Sequence, residues 1–141
     1  MSDPMAAVEG IGRQTATGVW TNRLVWFLRA MAAMSLLKGL YHWAVVVGVG
    51  QGGSSIFEAS STAWQAATIF FAVLDLVAAV GLWLAAAWGG VVWLTAAISM
   101  AAVELFFPQI YGGHFLVVAA EFAAIFGYVA LSVMAARERP G

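Results

Sequence analysis

Four apolar stretches dominate this sequence, each near the length of about 20 residues that a helix needs to cross the hydrocarbon core of a bilayer. They run from Leu24 to Val47, from Trp64 to Ala87, from Val91 to Phe107 and from Phe115 to Ala136. Long runs inside them, such as Ala66 to Leu74 and Val77 to Val92, lack the polar outer face that a core helix of a water-soluble protein must keep. Of the 141 residues, 63% are hydrophobic and 9% are charged, against about 25% charged in an ordinary soluble domain. A cleaved signal peptide does not fit the first stretch, because about two dozen mostly polar residues precede it instead of a short basic start.

The segments are separated by residues that stop helices. Gly48, Gly50, Gly52 and Gly53 with Ser54 and Ser55 end the first. Thr62 with Gln65 reads as a capping box opening the second. Gly89-Gly90 is expected to end the second, because glycine accepts the left-handed conformation at a helix C-terminus. Pro108 and Gly112-Gly113 divide the third from the fourth. The joins between spans two, three and four are too short to cross a bundle, so consecutive spans should be antiparallel neighbours. The expected fold is all-α: an integral membrane four-helix antiparallel bundle over residues 23–136. A poorly ordered N-terminal tail (1–22) and a short C-terminal tail (137–141) lie outside it. Arg13, Arg23 and Arg29 flank the start of the first span and Arg137 and Arg139 follow the last, whereas the loop from Gly48 to Ala63 has neither Lys nor Arg. Both termini should therefore be cytoplasmic. Trp20, Trp26, Trp83, Trp88 and Trp93 fall toward that side and Trp43 and Trp64 toward the other, as interfacial indoles do.

Small residues supply helix contacts in a bilayer, where lipid is as apolar as leucine. Gly81, Ala85 and Gly89 make one such stripe, Ala97 and Ala101 a second, and Ala119, Ala123 and Gly127 a third.

The charge balance and cysteine count remove several functions. A net charge of −1 gives no basic patch for nucleic acid. With no cysteine, disulfides, thiol catalysis and Cys-ligated metal are excluded. HExxH, GxSxG and Walker A motifs are absent as well. His42 and His114 are the only histidines, and no metal or other cofactor is expected.

What remains is a set of ionisable residues inside the spans: Lys38 and His42 in the first, Asp75 in the second, Glu104 in the third and Glu121 in the fourth. Charge at mid-membrane is costly, so such residues face a partner or a cavity. At 1.5 Å rise per residue, Lys38 and Glu104 each lie about 21 Å from the inner boundary, Asp75 about 16 Å and Glu121 about 10 Å from the outer one. Similar depths and small neighbours predict one polar cluster of Lys38, His42, Asp75, Glu104 and Glu121. Arg29, close to the cytoplasmic end, is expected to snorkel toward the headgroups.

The wording around the second and third spans is Trp64-Gln65-Ala66-Ala67, Val77-Ala78-Ala79-Val80-Gly81-Leu82-Trp83-Leu84, Ala87-Trp88-Gly89, Val92-Trp93 and Phe107-Pro108. It resembles a domain-of-unknown-function family of small four-span inner-membrane proteins from alphaproteobacteria. The resemblance implies a multi-pass protein of the bacterial inner (cytoplasmic) membrane and carries no activity with it. Two functions follow as expectations. The first is a non-enzymatic accessory or scaffold component of an inner-membrane complex, with the lipid bilayer and a membrane-protein partner or a second copy as its contacts. The second is a small proton-linked transporter or ion pathway using the intramembrane cluster. Small multidrug exporters fit less well, because they place a glutamate where this chain has Lys38.

Overall fold

Proline is absent from the four apolar segments, so nothing in their interiors interrupts the backbone ladder, and each forms a helix in the computed structural model, which describes residues 18–52 and 55–138. The order is α1 (Val19–Val46), α2 (Ile56–Ala59), α3 (Thr62–Trp83), α4 (Ala87–Phe106), α5 (Pro108–Tyr111) and α6 (Phe115–Glu138). Among the described residues there is no strand. Arg13, Gly53, Ser54, Arg139 and most of the expected N-terminal tail lie outside the described residues; α1 itself already starts at Val19.

Helices α1, α3, α4 and α6 are long and apolar enough to cross a membrane. They touch in a ring, with α1 on α3, α3 on α4, α4 on α6 and α6 on α1. The centre is filled by Leu28, Ala32, Ala78, Leu82 and Trp93. The outside carries exposed Leu37, Phe106, Phe115, Leu116 and Phe126. So much exposed apolar surface is untenable in water and ordinary in lipid. Helices α3 and α4 each bury 44% of their most apolar window, and α6 only 6%, so α6 is the most lipid-facing of the four.

The two long helices that end in tight turns use the same device. At the end of α1, Gly48 N–H donates to Val45 O (3.2 Å) and Val49 N–H to Ala44 O (2.9 Å), with Gly48 at φ 75°. This is a Schellman motif with glycine at its left-handed position. At the end of α3, Ala85 N–H donates to Leu82 O and Ala86 N–H to Gly81 O, both at 3.0 Å. There the left-handed residue is Ala85, at φ 51°. Gly89 and Gly90 therefore do not end the second span, as their sequence suggested; they sit in the first turn of α4.

Packing explains why the glycines are kept inside the helices. A Cβ on Gly81 would overlap the Cα of Gly89, and one on Gly89 would overlap the carbonyl carbon of Gly81. The two backbones meet directly, and the reversal has to be made by the residues between them. At the other end of α3, Ser61 is the N-cap, with its hydroxyl accepting the Trp64 N–H at 3.3 Å. The capping role expected of Thr62 thus falls one residue earlier. Gln65 instead donates to Phe57 O (2.8 Å) and Ser60 O (3.1 Å), tying α2 to α3. Trp93 also departs from expectation: it is a core residue, 5% exposed, set edge-on to Phe27 and Tyr128.

Candidate functional site

Gly39 positions the site. A Cβ there would lie 2.8 Å from Leu76 Cδ2 and 3.2 Å from Leu76 N, so α1 and α3 approach closely at this level. Lys38 and His42, on either side of Gly39, are thereby brought to Asp75. Asp75 is 1% exposed and is flanked by Ala72 and Ala78, both at 0%. Small neighbours make room for one buried carboxylate.

Lys38 Nζ lies 3.0 Å from Glu121 Oε1 on α6 and 3.7 Å from Asp75 Oδ1 on α3. The first is a charge-assisted hydrogen bond; the second is an ion pair without one. His42 Nδ1 stands 3.8 Å from Asp75 Oδ2, too far for a hydrogen bond. Both of these atoms are buried, with no hydrogen-bond partner among the described residues. One ammonium thus serves two carboxylates, and an imidazole adjoins them. The group joins three of the four spanning helices. Beside it a cavity of about 190 Å³ is lined by Met34, Ser35, Lys38, Trp93, Glu121 and Ala124.

Glu104 stands apart from this group. Its Oε2 accepts the backbone N–H of His114 at 2.8 Å, and its Oε1 lies 3.8 Å from His114 Nδ1. It secures the loop that leads into α6. Nearby, Thr68 Oγ1 and the Tyr111 hydroxyl share a hydrogen bond of 3.1 Å. Burial pushes the Tyr111 phenol above its usual range, with the Thr68 hydrogen bond opposing. Phe71, 1% exposed, packs beside both His42 and Tyr111, with its ring 6.2 Å from the first and 6.3 Å from the second. The single cluster expected from depth is therefore two by its contacts: Lys38, His42, Asp75 and Glu121 adjoin one another, and Glu104 pairs with His114 instead. Depth arithmetic puts groups on a common level but does not say which way around a helix each points.

Of the small-residue positions, Gly81 and Gly89 form the α3–α4 contact and Ala85 makes the turn. A Cβ on Gly127 would be 3.5 Å from Phe27. Ala119 and Ala123 are exposed on α6. Glu138, within the expected C-terminal tail, accepts the backbone N–H groups of Trp20 and Thr21 at 3.0–3.1 Å. A hint was present in Gly18-Val19-Trp20, a helix start with no side chain able to cap it. Among the described residues no three His, Asp or Glu side chains converge as a metal site.

The model of a family described as "Family of unknown function (DUF6163)" matches residues 22–139. Neither a curated protein nor a solved structure matches the chain.

Proposed function

The chain belongs to this family of unknown function, and from that premise we propose a non-enzymatic integral membrane protein that acts through its contacts, as an accessory or scaffold component of a complex in the bacterial inner membrane. The observation that carries this reading is how the ionisable side chains are used. Lys38 joins α1 to α6 and α3, Glu104 holds the start of α6, and Glu138 holds the start of α1. Such pairs set register and neighbour choice, and they leave the long apolar outer faces free for lipid and protein. The bundle is antiparallel in this reading, supported by the three-residue turn between α3 and α4 and by the meeting of Glu138 with Trp20. Both termini are cytoplasmic, supported by Arg23, Arg29 and Arg137 at that end and by the absence of Lys and Arg from the loops at the other. Purification from native membranes in mild detergent tests it. A stoichiometric partner or a stable oligomer is expected; a monomer with no reproducible companion overturns it.

A second reading, a proton-linked carrier or ion pathway, has its own support. His42 Nδ1 and Asp75 Oδ2 lie 3.8 Å apart with no hydrogen-bond partner among the described residues, and the cavity at Lys38 and Glu121 has room for a small solute. A carboxylate able to exchange a proton inside the membrane is what such a carrier needs. Proton flux into liposomes, compared between the wild type and Asp75→Asn, separates the readings. Equal flux removes the second.

A further inference from the structure

Arg29 is an exposed guanidinium on an apolar helix, and two indoles hold it. Its Cζ lies 5.5 Å from the Trp83 ring centre and 6.0 Å from that of Trp26. None of the ion pairs among the described residues involves it. Trp83 has a second role. It forms one wall of an apolar groove of about 320 Å³ between α1 and α3, whose other sides are Ala32, Ala33 and Leu36 from α1 and Ala79 and Val80 from α3. That volume is at the lower end of ligand pockets, about 300–1,000 Å³. Small side chains create it: alanines stand at 32, 33 and 79, where larger residues would close the surface.

Charge and groove adjoin at Trp83, which Arg29 lies over and which walls the groove. Arg29, Ala32, Ala33 and Leu36 are spaced three and four apart, so they follow one face of α1. From Arg29 to Leu36 is about 10 Å along the axis. The cation is at the end nearer the start of α1, and the apolar channel extends from it toward the middle of the helix. This is the layout of an amphiphile with a negative head and a hydrocarbon tail. Guanidinium is also the side chain best matched to phosphate oxygens, through its parallel N–H groups.

We infer that the α1–α3 groove binds an anionic phospholipid, its phosphate on Arg29 and an acyl chain along Ala33, Ala79 and Leu36. The site is separate from the Lys38 cluster and does not depend on the scaffold reading. It requires only that the helices lie in a bilayer. Each Lys or Arg near a membrane surface contributes about 1 kcal/mol toward anionic lipid, which converts to about five-fold in affinity.

Thermal unfolding of the purified full chain in neutral detergent, titrated with lipid, tests this through the mass-action rise in stability. Phosphatidylglycerol is expected to stabilise the wild type at about five-fold lower concentration than phosphatidylcholine. Arg29→Gln should abolish that difference, and Arg29→Lys should retain most of it. Ala33→Phe, on the exposed lip of the groove, should weaken both lipids alike. Inorganic phosphate alone should produce no shift. Equal response to the two lipids in the wild type overturns the inference, as does an undiminished phosphatidylglycerol preference in Arg29→Gln. A phosphate response equal to that of the lipid shows an anion site without a lipid. Stability that rises with protein concentration instead shows the groove filled by a second copy.

Discussion

Both carboxylate oxygens of Glu138 stand 3.0 Å from the backbone N of Trp20, so the last residue of α6 caps the first turn of α1. A helix start carries unpaired N–H groups and a partial positive charge, and α1 has only Gly18 at its own N-cap position. The cap is supplied from the far end of the chain. A Cβ at Gly18 would meet the Glu138 carboxylate, which would have to shift from its present place.

Glu138→Gln should therefore loosen α1 at its start and nowhere else. Hydrogen exchange at the Trp20 and Thr21 amides is expected to accelerate, while the amides of α3 around Asp75 keep their protection. Unchanged exchange at Trp20 and Thr21 would show that water serves the helix start equally well.

The Lys38 group makes a prediction about coupling. Lys38→Met leaves the Asp75 and Glu121 carboxylates without their cation. The loss should be a few kcal/mol, below the roughly 3–5 kcal/mol of a fully enclosed pair, because the Lys38 side chain is 34% exposed. Combined with Glu121→Gln, the two losses should fail to add by about 0.5–3 kcal/mol. Combined with Glu104→Gln they should add within about 0.5 kcal/mol, since among the described residues no hydrogen bond or ion pair joins Glu104 to the Lys38 group. Equilibrium unfolding in detergent gives all the terms, and coupling to Glu104 of the same size as to Glu121 would contradict the division into two clusters.

Ala85 occupies a left-handed position, φ 51°, that costs a residue with a Cβ about 1–2 kcal/mol. Ala85→Gly should stabilise the protein by about 1 kcal/mol, and Gly48→Ala, at the matching position of α1, should destabilise it by a similar amount. Opposite signs from the same chemical exchange are the test; a loss in both variants would mean that the Ala85 methyl contributes more by packing than it costs in strain.

Tyr111 makes a prediction at high pH. Its phenol is pushed above the ordinary 10.0 by burial. From about pH 10 upward the unfolded phenol releases its proton while the folded one retains it, so stability is full below that pH and falls as pH rises through the folded value. The wild type should lose stability above pH 10 more steeply than Tyr111→Phe. At neutral pH the same variant should be about 1 kcal/mol less stable, because the fully buried Thr68 hydroxyl loses its partner. Parallel stability curves for the two proteins would remove the buried-phenol account.

Much of the fold is legible in the sequence, because hydropathy over about 20 residues is a local property. The four long apolar helices and the glycine stop at Gly48 are of this kind. The fold features that could not be read depend on what another segment brings. Gly89-Gly90 looks like a terminator until Gly81 is placed against it. Trp93 looks like an interfacial anchor until Phe27 and Tyr128 close around it. The candidate site divides in the same manner. Lys38 and His42 share a face by spacing alone, whereas the attachment of Glu104 to the His114 backbone depends on how the Pro108–Gly113 segment folds back, and side-chain spacing does not encode that.

The meeting of Gly81 and Gly89 limits how this sequence can drift. In a side-chain core, a gain in volume at one position can be offset by a loss at its neighbour, and many combinations fold. Here neither partner has a side chain to give up: each would-be Cβ meets the other's backbone. No second substitution in the pair can rescue the first, so the two positions form a dead end for compensation, and relief can come only by moving α3 away from α4 as whole helices. A saturation library at 81 and 89 should return glycine at both positions, with the double substitutions no better tolerated than the single ones.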